Sequence, residues 1–307
     1  MEPIDYSIMP TASENVFAAK LKKPDGLSND WLELKQRDYT VGEHKVWDIL
    51  YRRQMDVLKG RACDQFFNGL ELLDFDRGGV PDFNRTNETL KSITGWTVVP
   101  VPMLIPDHVF FYHLANKRFP AGNFIRRADQ LEYIEEPDVF HDAFGHVALL
   151  TDPAFAHYMQ AYGQAGWKAI HYNHLKALSA LYWYTVEFGL INTNDGIRIY
   201  GAGILSSAEE SAFSLEAQSP NRIHLNVDRV MRTDYKVDDL QQSYFVVDSF
   251  EELFKQTEER PFDDIYKNIG ASFQYAPSAM LDTDHIYTRG TMEYALRGGH
   301  ASGAKPV

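Results

Sequence analysis

The chain has 307 residues, 44% of them hydrophobic and 13% aromatic, and a formal net charge of −13. That length allows one large fold, or two tightly joined ones, around a sizeable core; the charge argues against non-specific nucleic-acid binding and against docking on anionic lipid, both of which need a positive face. No stretch approaches the roughly 18 apolar residues of a membrane span, and the start Met1-Glu2-Pro3-Ile4-Asp5 lacks the basic and apolar runs of a secretory signal.

Residues 1–30, broken by Pro3, Pro10, Pro24 and Gly26, predict an extended arm before a body spanning 31–290. Val46, Trp47, Ile49, Leu50, Met55, Val57 and Leu58 predict an amphipathic helix over about 43–59. The single cysteine, Cys63, excludes an intramolecular disulfide and a cysteine-based zinc site, reads as a small buried residue, and suits a reducing cytosol. Trp96 to Val101 reads as a strand, and Pro106 opens a helix where its missing N–H costs nothing. Thr151-Asp152-Pro153 caps another helix running towards Trp167. Asn173 to Leu190 predicts one long helix, apolar on most sides and therefore buried. Gly196 to Tyr200 and Ser243 to Val247 are further short strands, and the Gly-rich end predicts a disordered tail over 291–307. The fold expected is mainly α with short β elements, without internal repeats.

The densest chemical signal is Glu135-Glu136-Pro137-Asp138-Val139-Phe140-His141-Asp142-Ala143-Phe144-Gly145-His146. On an ideal helix, five steps of about 100° leave His141 and His146 roughly 140° apart, so a straight α-helix would not let them share a ligand. Gly145 offers a break that would let both imidazoles converge. The pair alone reads more readily as ordinary core or surface histidines. Glu187 is a charge inside the apolar 173–190 segment, and such a group needs a partner. An ion pair with Arg126 or Arg198 would serve, and so would a metal. Two neutral imidazoles and one carboxylate on one side of a metal form the ligand set of non-haem ferrous oxygenases. The His-Glu-x-x-His helix of zinc hydrolases is absent, and Asp142 is wrongly spaced for it.

Several long motifs in order resemble the pterin-dependent aromatic amino acid hydroxylases, over about residues 30–270. They are Trp96 to Pro100, Phe110-Phe111-Tyr112-His113-Leu114-Ala115-Asn116-Lys117-Arg118-Phe119-Pro120, Glu136 to His146, Trp183 to Leu190, and Tyr200-Gly201-Ala202-Gly203-Ile204-Leu205-Ser206-Ser207. The resemblance implies a single-domain catalytic fold, a helical basket, of the bacterial kind without added regulatory or tetramer-forming segments, and hence a cytoplasmic monomer. It implies Fe(II) on His141, His146 and Glu187, with Tyr182 among the catalytic groups. O2 is the expected co-substrate and a tetrahydropterin the two-electron donor. Phe110 would stack on the pterin, the backbone around Ile105 and Asp107 would meet its edge, and Asp142 and Tyr182 would lie beside pterin and iron. Arg126 falls at the substrate-carboxylate position, where a guanidinium is the best planar partner. Asp138 would orient Arg126 or His141. Pro137, Trp183 and Phe188 would wall the aromatic ring, with Ser206 and Thr193 to Gly196 closing the amino acid end.

By the same resemblance Trp183 and Val237 both favour phenylalanine, hydroxylated at the para position: Trp183 matches the phenylalanine and tyrosine hydroxylases, and Val237 stands where tyrosine hydroxylases carry an aspartate, an apolar residue there suiting an unsubstituted ring. Tryptophan or another aromatic amino acid is the alternative within the family. Tyrosine so made would serve phenylalanine degradation or tyrosine supply alike. Met103, Ala148 and Gln242-Ser243 depart from the family pattern; the first bears on the pterin loop and the second adjoins a ligand. Two further alternatives are a zinc-type hydrolase with the same three ligands and a helical binding protein in which they form a hydrogen-bonded cluster.

Overall fold

The computed structural model describes residues 34–298 apart from 103–104, 133, 135, 259–261 and 270–272. The expected arm at 1–30, Met103 and residues 299–307 lie outside the described residues.

The first helix, α1 (Val41–Leu58), begins two residues before the expected 43, at a capping box. Thr40 and Glu43 cap each other, the Thr40 hydroxyl accepting from Glu43 N and the Glu43 carboxylate from Thr40 N. Val46, Trp47, Leu50, Gln54 and Leu58 fall on one side of α1 and are buried. There follow α2 (Asp64–Leu72), α3 (Phe83–Ile93), β1 (Thr97–Val101), α4 (Asp107–Ala115) and β2 (Arg118–Gly122). Pro106 is the cap of α4 rather than its first helical residue.

A π-helical turn, Phe140–His146, runs into a 3₁₀ turn, Val147–Thr151, and then into α5 (Pro153–Tyr172). Asp152 caps α5 by accepting from Ala154 N and Phe155 N. The second half holds α6 (Leu175–Tyr182), a π turn at Trp183–Glu187, β3 (Leu190–Thr193), β4 (Gly196–Ile199), α7 (Ala202–Leu205), α8 (Ala208–Glu216), β5 (Asn221–His224), α9 (Val227–Val230) and β6 (Ser243–Val247). It ends with α10 (Phe250–Glu258), α11 (Phe262–Asn268), β7 (Ile286–Thr288) and α12 (Glu293–Leu296).

The result is a mainly helical single domain with two small sheets. Strands β1 and β2 pair in parallel, and a mixed five-stranded sheet runs β4-β3-β6-β5-β7. Helix α5 lies at the centre, packed by α4, α6 and α10. Its glycines make the close approach to α4 possible: a Cβ on Gly163 would lie 2.4 Å from Ala115 N, and one on Gly166 2.1 Å from the Phe111 ring.

Three expectations need correction. The helix expected over 173–190 is shorter and not α throughout: Asn173 takes a left-handed conformation (φ 58°) that ends α5, and α6 (Leu175–Tyr182) passes into a π turn that ends at Glu187. Strands β2, β3, β5 and β7 are additional to those expected; they are three to five residues long and, apart from the β3–β4 hairpin, pair with segments about 20 or more residues away. Residues 291–298, assigned to the tail, instead carry α12, whose Tyr294 ring packs against Phe213 and whose hydroxyl donates to Asp239. Cys63 is buried as expected, which pushes its thiol up to about 12.

Candidate metal centre

The convergence of the two histidines comes from the π turn and not from a glycine break. In a π turn the bonds run between residues five apart, which brings residues at that spacing near one face. Gly145 has another role: a Cβ there would sit 3.0 Å from both the Cβ and the carbonyl oxygen of Ala202, so glycine lets α7 close on the turn. The same wider turn recurs at Trp183–Glu187, where Phe188 N donates to Trp183 O at 2.9 Å. It delivers Glu187 to the pair of imidazoles.

His141 Nε2 and His146 Nε2 lie 3.1 Å apart. Glu187 places Oε1 3.3 Å from His146 Nε2 and Oε2 3.6 Å from His141 Nε2. Donor atoms about 2.1 Å from a metal and at right angles would be about 3 Å from one another, so this spacing fits three ligands on one face of an ion. His141, Asp142 and His146 also bring donor atoms within 4.8 Å of one another. Glu187 is the better third ligand, because its two oxygens divide between the two imidazoles while Asp142 Oδ2 accepts from Gly122 N at 2.6 Å.

The protonation pattern fits a metal as well. Ser206 Oγ lies 2.8 Å from Ala202 O and gives its one proton there, so it accepts from His141 Nδ1 at 2.9 Å. A neutral His141 therefore carries its proton on Nδ1 and presents the Nε2 lone pair to the centre. Burial drives the His141 pKa down to about 4 against the pull of Glu187, which keeps the ring neutral at pH 7. Burial opposes ionisation of Glu187, but the facing His146 and His141 outweigh it and hold the carboxyl below its usual range. The expected ion pair of Glu187 with Arg126 or Arg198 does not form. Arg126 pairs with Asp138, and Arg198 Nη1 donates to Ile197 O.

Around the three donors the walls are aromatic. The Phe119 ring lies 5.0 Å from His146, and Tyr182 stacks at 6.2 Å on its ring. Phe110, on α4, meets Tyr182 edge-on at 5.7 Å. Asp142 is pushed up to about 7 by burial, against the pull of His146 and the Gly122 amide. Asp138 is fully buried and serves both expected partners: Oδ2 accepts from Arg126 Nε (2.8 Å) and Arg126 N (2.9 Å), while Oδ1 accepts from Arg126 Nη2 (2.9 Å) and His141 N (3.1 Å). Trp183 lies 4.7 Å from Phe188. Pro137 is half-buried, with its carbonyl beside Gly122.

Residues 18–280 match the family described as biopterin-dependent aromatic amino acid hydroxylase. The chain belongs to the biopterin-dependent aromatic amino acid hydroxylases. Among these hydroxylases it is 54% identical over 282 residues to the phenylalanine-4-hydroxylase of Caulobacter vibrioides, covering 92% of this chain and 96% of that one. The iron- and phenylalanine-bound phenylalanine hydroxylase of Chromobacterium violaceum superposes with a TM-score of 0.77 at 46% identity, covering 86% of this chain and 100% of that one. The structure of the same enzyme with iron(III) and 7,8-dihydrobiopterin gives a TM-score of 0.80 at 48% identity, covering 84% and 94%.

Set within this hydroxylase fold, the remaining expected residues divide. Ile105 is half-buried against the core, and Asp107 opens α4 exposed. Thr193 and Gly196 form the β3–β4 turn, the Thr193 hydroxyl donating to Gly196 O. Val237 is 70% exposed, so it offers a substrate ring no enclosed contact. Tyr235, two residues earlier, is what meets the wall: it stacks on Trp183 at 4.9 Å and 24°. Sequence reasoning passed over Tyr235, and the only available signal was its place beside Val237. Of the departures, Ala148 is buried in the 3₁₀ turn with its carbonyl accepting from Thr151, and Ser243 donates to Pro277 O.

Proposed function

We propose that this protein is a phenylalanine 4-monooxygenase, converting L-phenylalanine to L-tyrosine with O2 and a tetrahydropterin at a mononuclear Fe(II) site on His141, His146 and Glu187. The observation that carries the reading is the convergence of two imidazoles and one carboxylate at 3.1–3.6 Å, with His141 held as the tautomer a metal requires. When bound, iron and tetrahydropterin supply oxygen activation, the pterin contributing two electrons.

The chain's own residues supply position and environment. Asp138 takes one edge of the Arg126 guanidinium, fixing the plane of the other for a substrate carboxylate. Asp138 also anchors the amide of His141, so substrate binding and the metal ligands share one buried carboxylate. Trp183, Phe188, Pro137 and Tyr235 form the aromatic wall, and offset or tilted ring contacts are what such a wall favours. Phe110 is the pterin-stacking ring, with Ile105 and Asp107 at the pterin edge and Asp142 and Tyr182 between pterin and ligands. Ser206 orients His141, and the turn from Thr193 to Gly196 closes the amino acid end. Preference for an unsubstituted ring rests on the aromatic wall, since Val237 is 70% exposed. His146 is buried at 3% exposure, while His141 and Glu187 are 17% and 15% exposed, so the donors face an opening on one side.

A monomer acting in the cytoplasm is part of the same reading. The large exposed apolar residues Val41 and Ile49 share α1, but Leu72, Ile93, Val237 and Leu296 each lie on other segments, a scatter that supports a monomer. The single cysteine supports a reducing compartment. No helix among the described residues is long and apolar enough to cross a membrane.

The experiment supplies purified protein with ferrous iron, a reduced pterin and O2, and offers phenylalanine, tyrosine and tryptophan separately, with products identified by mass and ring position. Para-tyrosine from phenylalanine, absent with Glu187→Ala, is the expected result. Pterin oxidation with ring hydroxylation of tryptophan alone moves the substrate within the family. Iron binding without pterin oxidation on any substrate sinks the hydroxylase reading and leaves a zinc-type hydrolase or a binding protein.

A further inference from the structure

The indole of Trp183 is fixed by a residue outside every motif singled out in the sequence. Its Nε1–H donates to Gln241 Oε1 at 2.9 Å. Gln241 is 2% exposed. Its Nε2 donates to two backbone carbonyls, Lys236 O at 2.9 Å and Asp239 O at 3.0 Å. The amide therefore has one allowed orientation, because a flip would set N–H against the indole N–H and oxygen against two carbonyl oxygens. The backbone of Gln241 is anchored in turn: its N–H donates to Glu210 Oε1 at 3.2 Å, and the same oxygen accepts from Tyr244. Glu210 belongs to α8 and Tyr244 to β6, so the amide is tied to two elements away from the metal ligands.

The segment that Gln241 clamps carries Tyr235 and Val237. Tyr235 stacks on the face of the indole whose edge Gln241 holds. One side-chain amide thus joins the ring wall to the backbone of the loop beside it.

We infer that Gln241 is a positioning residue for the substrate ring, locking the plane of Trp183 and coupling it to the Lys236–Asp239 loop. The inference rests on the hydroxylase reading above. A reacting ring has to be held to within about 0.5 Å and 10–20° of its productive placement. A freed indole would tilt, and Tyr235 would no longer be held against it. The ring would then bind in several placements, and oxidising equivalents would be spent without hydroxylation. The bonds that orient His141 run through Ser206 and Asp138, so iron binding would not change.

Gln241→Met keeps the length of the side chain and removes both donors and the amide oxygen. In the iron-loaded protein the expected result is an about tenfold higher KM for phenylalanine, the effect of one lost buried hydrogen bond. Less tyrosine should form per pterin oxidised, while iron content and the KM for tetrahydropterin stay at the parent's values. A role in stability alone would lower the melting temperature without separating the two KM values. Unchanged KM and unchanged coupling at parental iron content overturn the inference. A parent protein that forms no tyrosine sinks the hydroxylase reading instead, so the two failures are distinct. Should Gln241→Met not fold, the parent carrying 15N-labelled tryptophan decides. The indole resonance missing from Trp183→Phe should exchange slowly with solvent and shift when phenylalanine is added. Fast exchange, or no shift, overturns the inference.

Discussion

Ser206 contributes one hydroxyl, and its proton has a single destination. Because that proton goes to Ala202 O, the oxygen faces His141 as an acceptor and selects the imidazole tautomer. Ser206→Ala should lower iron affinity and turnover by roughly 10- to 100-fold, the usual cost of removing the partner of a ligating histidine, with the far-UV circular dichroism unchanged; titration with ferrous iron measures it. Glu187→Ala removes a ligand outright, so turnover should fall by more than about 100-fold, with iron content reduced, in a protein that still melts cooperatively. Asp138→Asn leaves the buried Arg126 guanidinium without its counter-charge. Breaking such a pair costs about 3–5 kcal/mol, which urea unfolding would register. His141, His146 and Glu187 stood out in the sequence because a carboxylate in an apolar run and two close histidines each demand an explanation, and the ordered motifs joined them into one candidate ligand set. Gln241 was not, because its partner Trp183 is 58 residues away and a polar residue in a loop demands none.

At the scale of elements, the two π turns bring the ligands together. Each sits where an α-helical reading fails: the histidines are five apart, and Glu187 ends a turn whose closing bond is Phe188 N to Trp183 O. Helix ends were easier to place. The Asp152 cap follows from residue type alone, whereas the Thr40–Glu43 box starts α1 two residues before the expected 43; each satisfies amides that the helix leaves open. Thr40→Ala should cost about 1 kcal/mol, measurable as a lower urea midpoint at unchanged slope. The contact between α4 and α5 depends on Gly163, where an added methyl would meet the backbone of Ala115. Gly163→Ala should therefore destabilise by about 1–3 kcal/mol despite the better helix propensity of alanine, and a gain in melting temperature would contradict the packing. Strands of three to five residues were mostly missed, because so short a run shows little periodicity and its partners come from elsewhere in the chain.

Over the whole molecule, burial sets the pH response. Glu210 is 5% exposed, and burial pushes its pKa from 4.5 up to about 7, although Tyr244 and the Gln241 amide donate to it. A carboxyl raised on folding contributes stability that is complete below its unfolded value near 4.5 and is lost as pH rises through about 7. The loss is on the order of 3 kcal/mol at full ionisation. Melting temperature should therefore fall between pH 5 and pH 8, and Glu210→Gln should flatten the fall. Asp142, also raised by burial to about 7, adds a slope of the same sign, so the difference between parent and variant is the quantity to read. A variant as pH-sensitive as the parent would show that Glu210 is not the source. By itself the sequence determined the mainly helical class, the Asp152 cap and the buried cysteine, because local chemistry fixes those without reference to distant segments, and its ordered motifs singled out His141, His146 and Glu187 by resemblance. Only the tertiary structure decided that Glu187 answers to histidines and not to an arginine, that Asp138 serves Arg126 and His141 at once, and that Gln241 accepts from the Trp183 indole. Each of those is a contact between segments that meet only after burial has excluded water, and the choice among several chemically acceptable partners is made by which one the packing delivers.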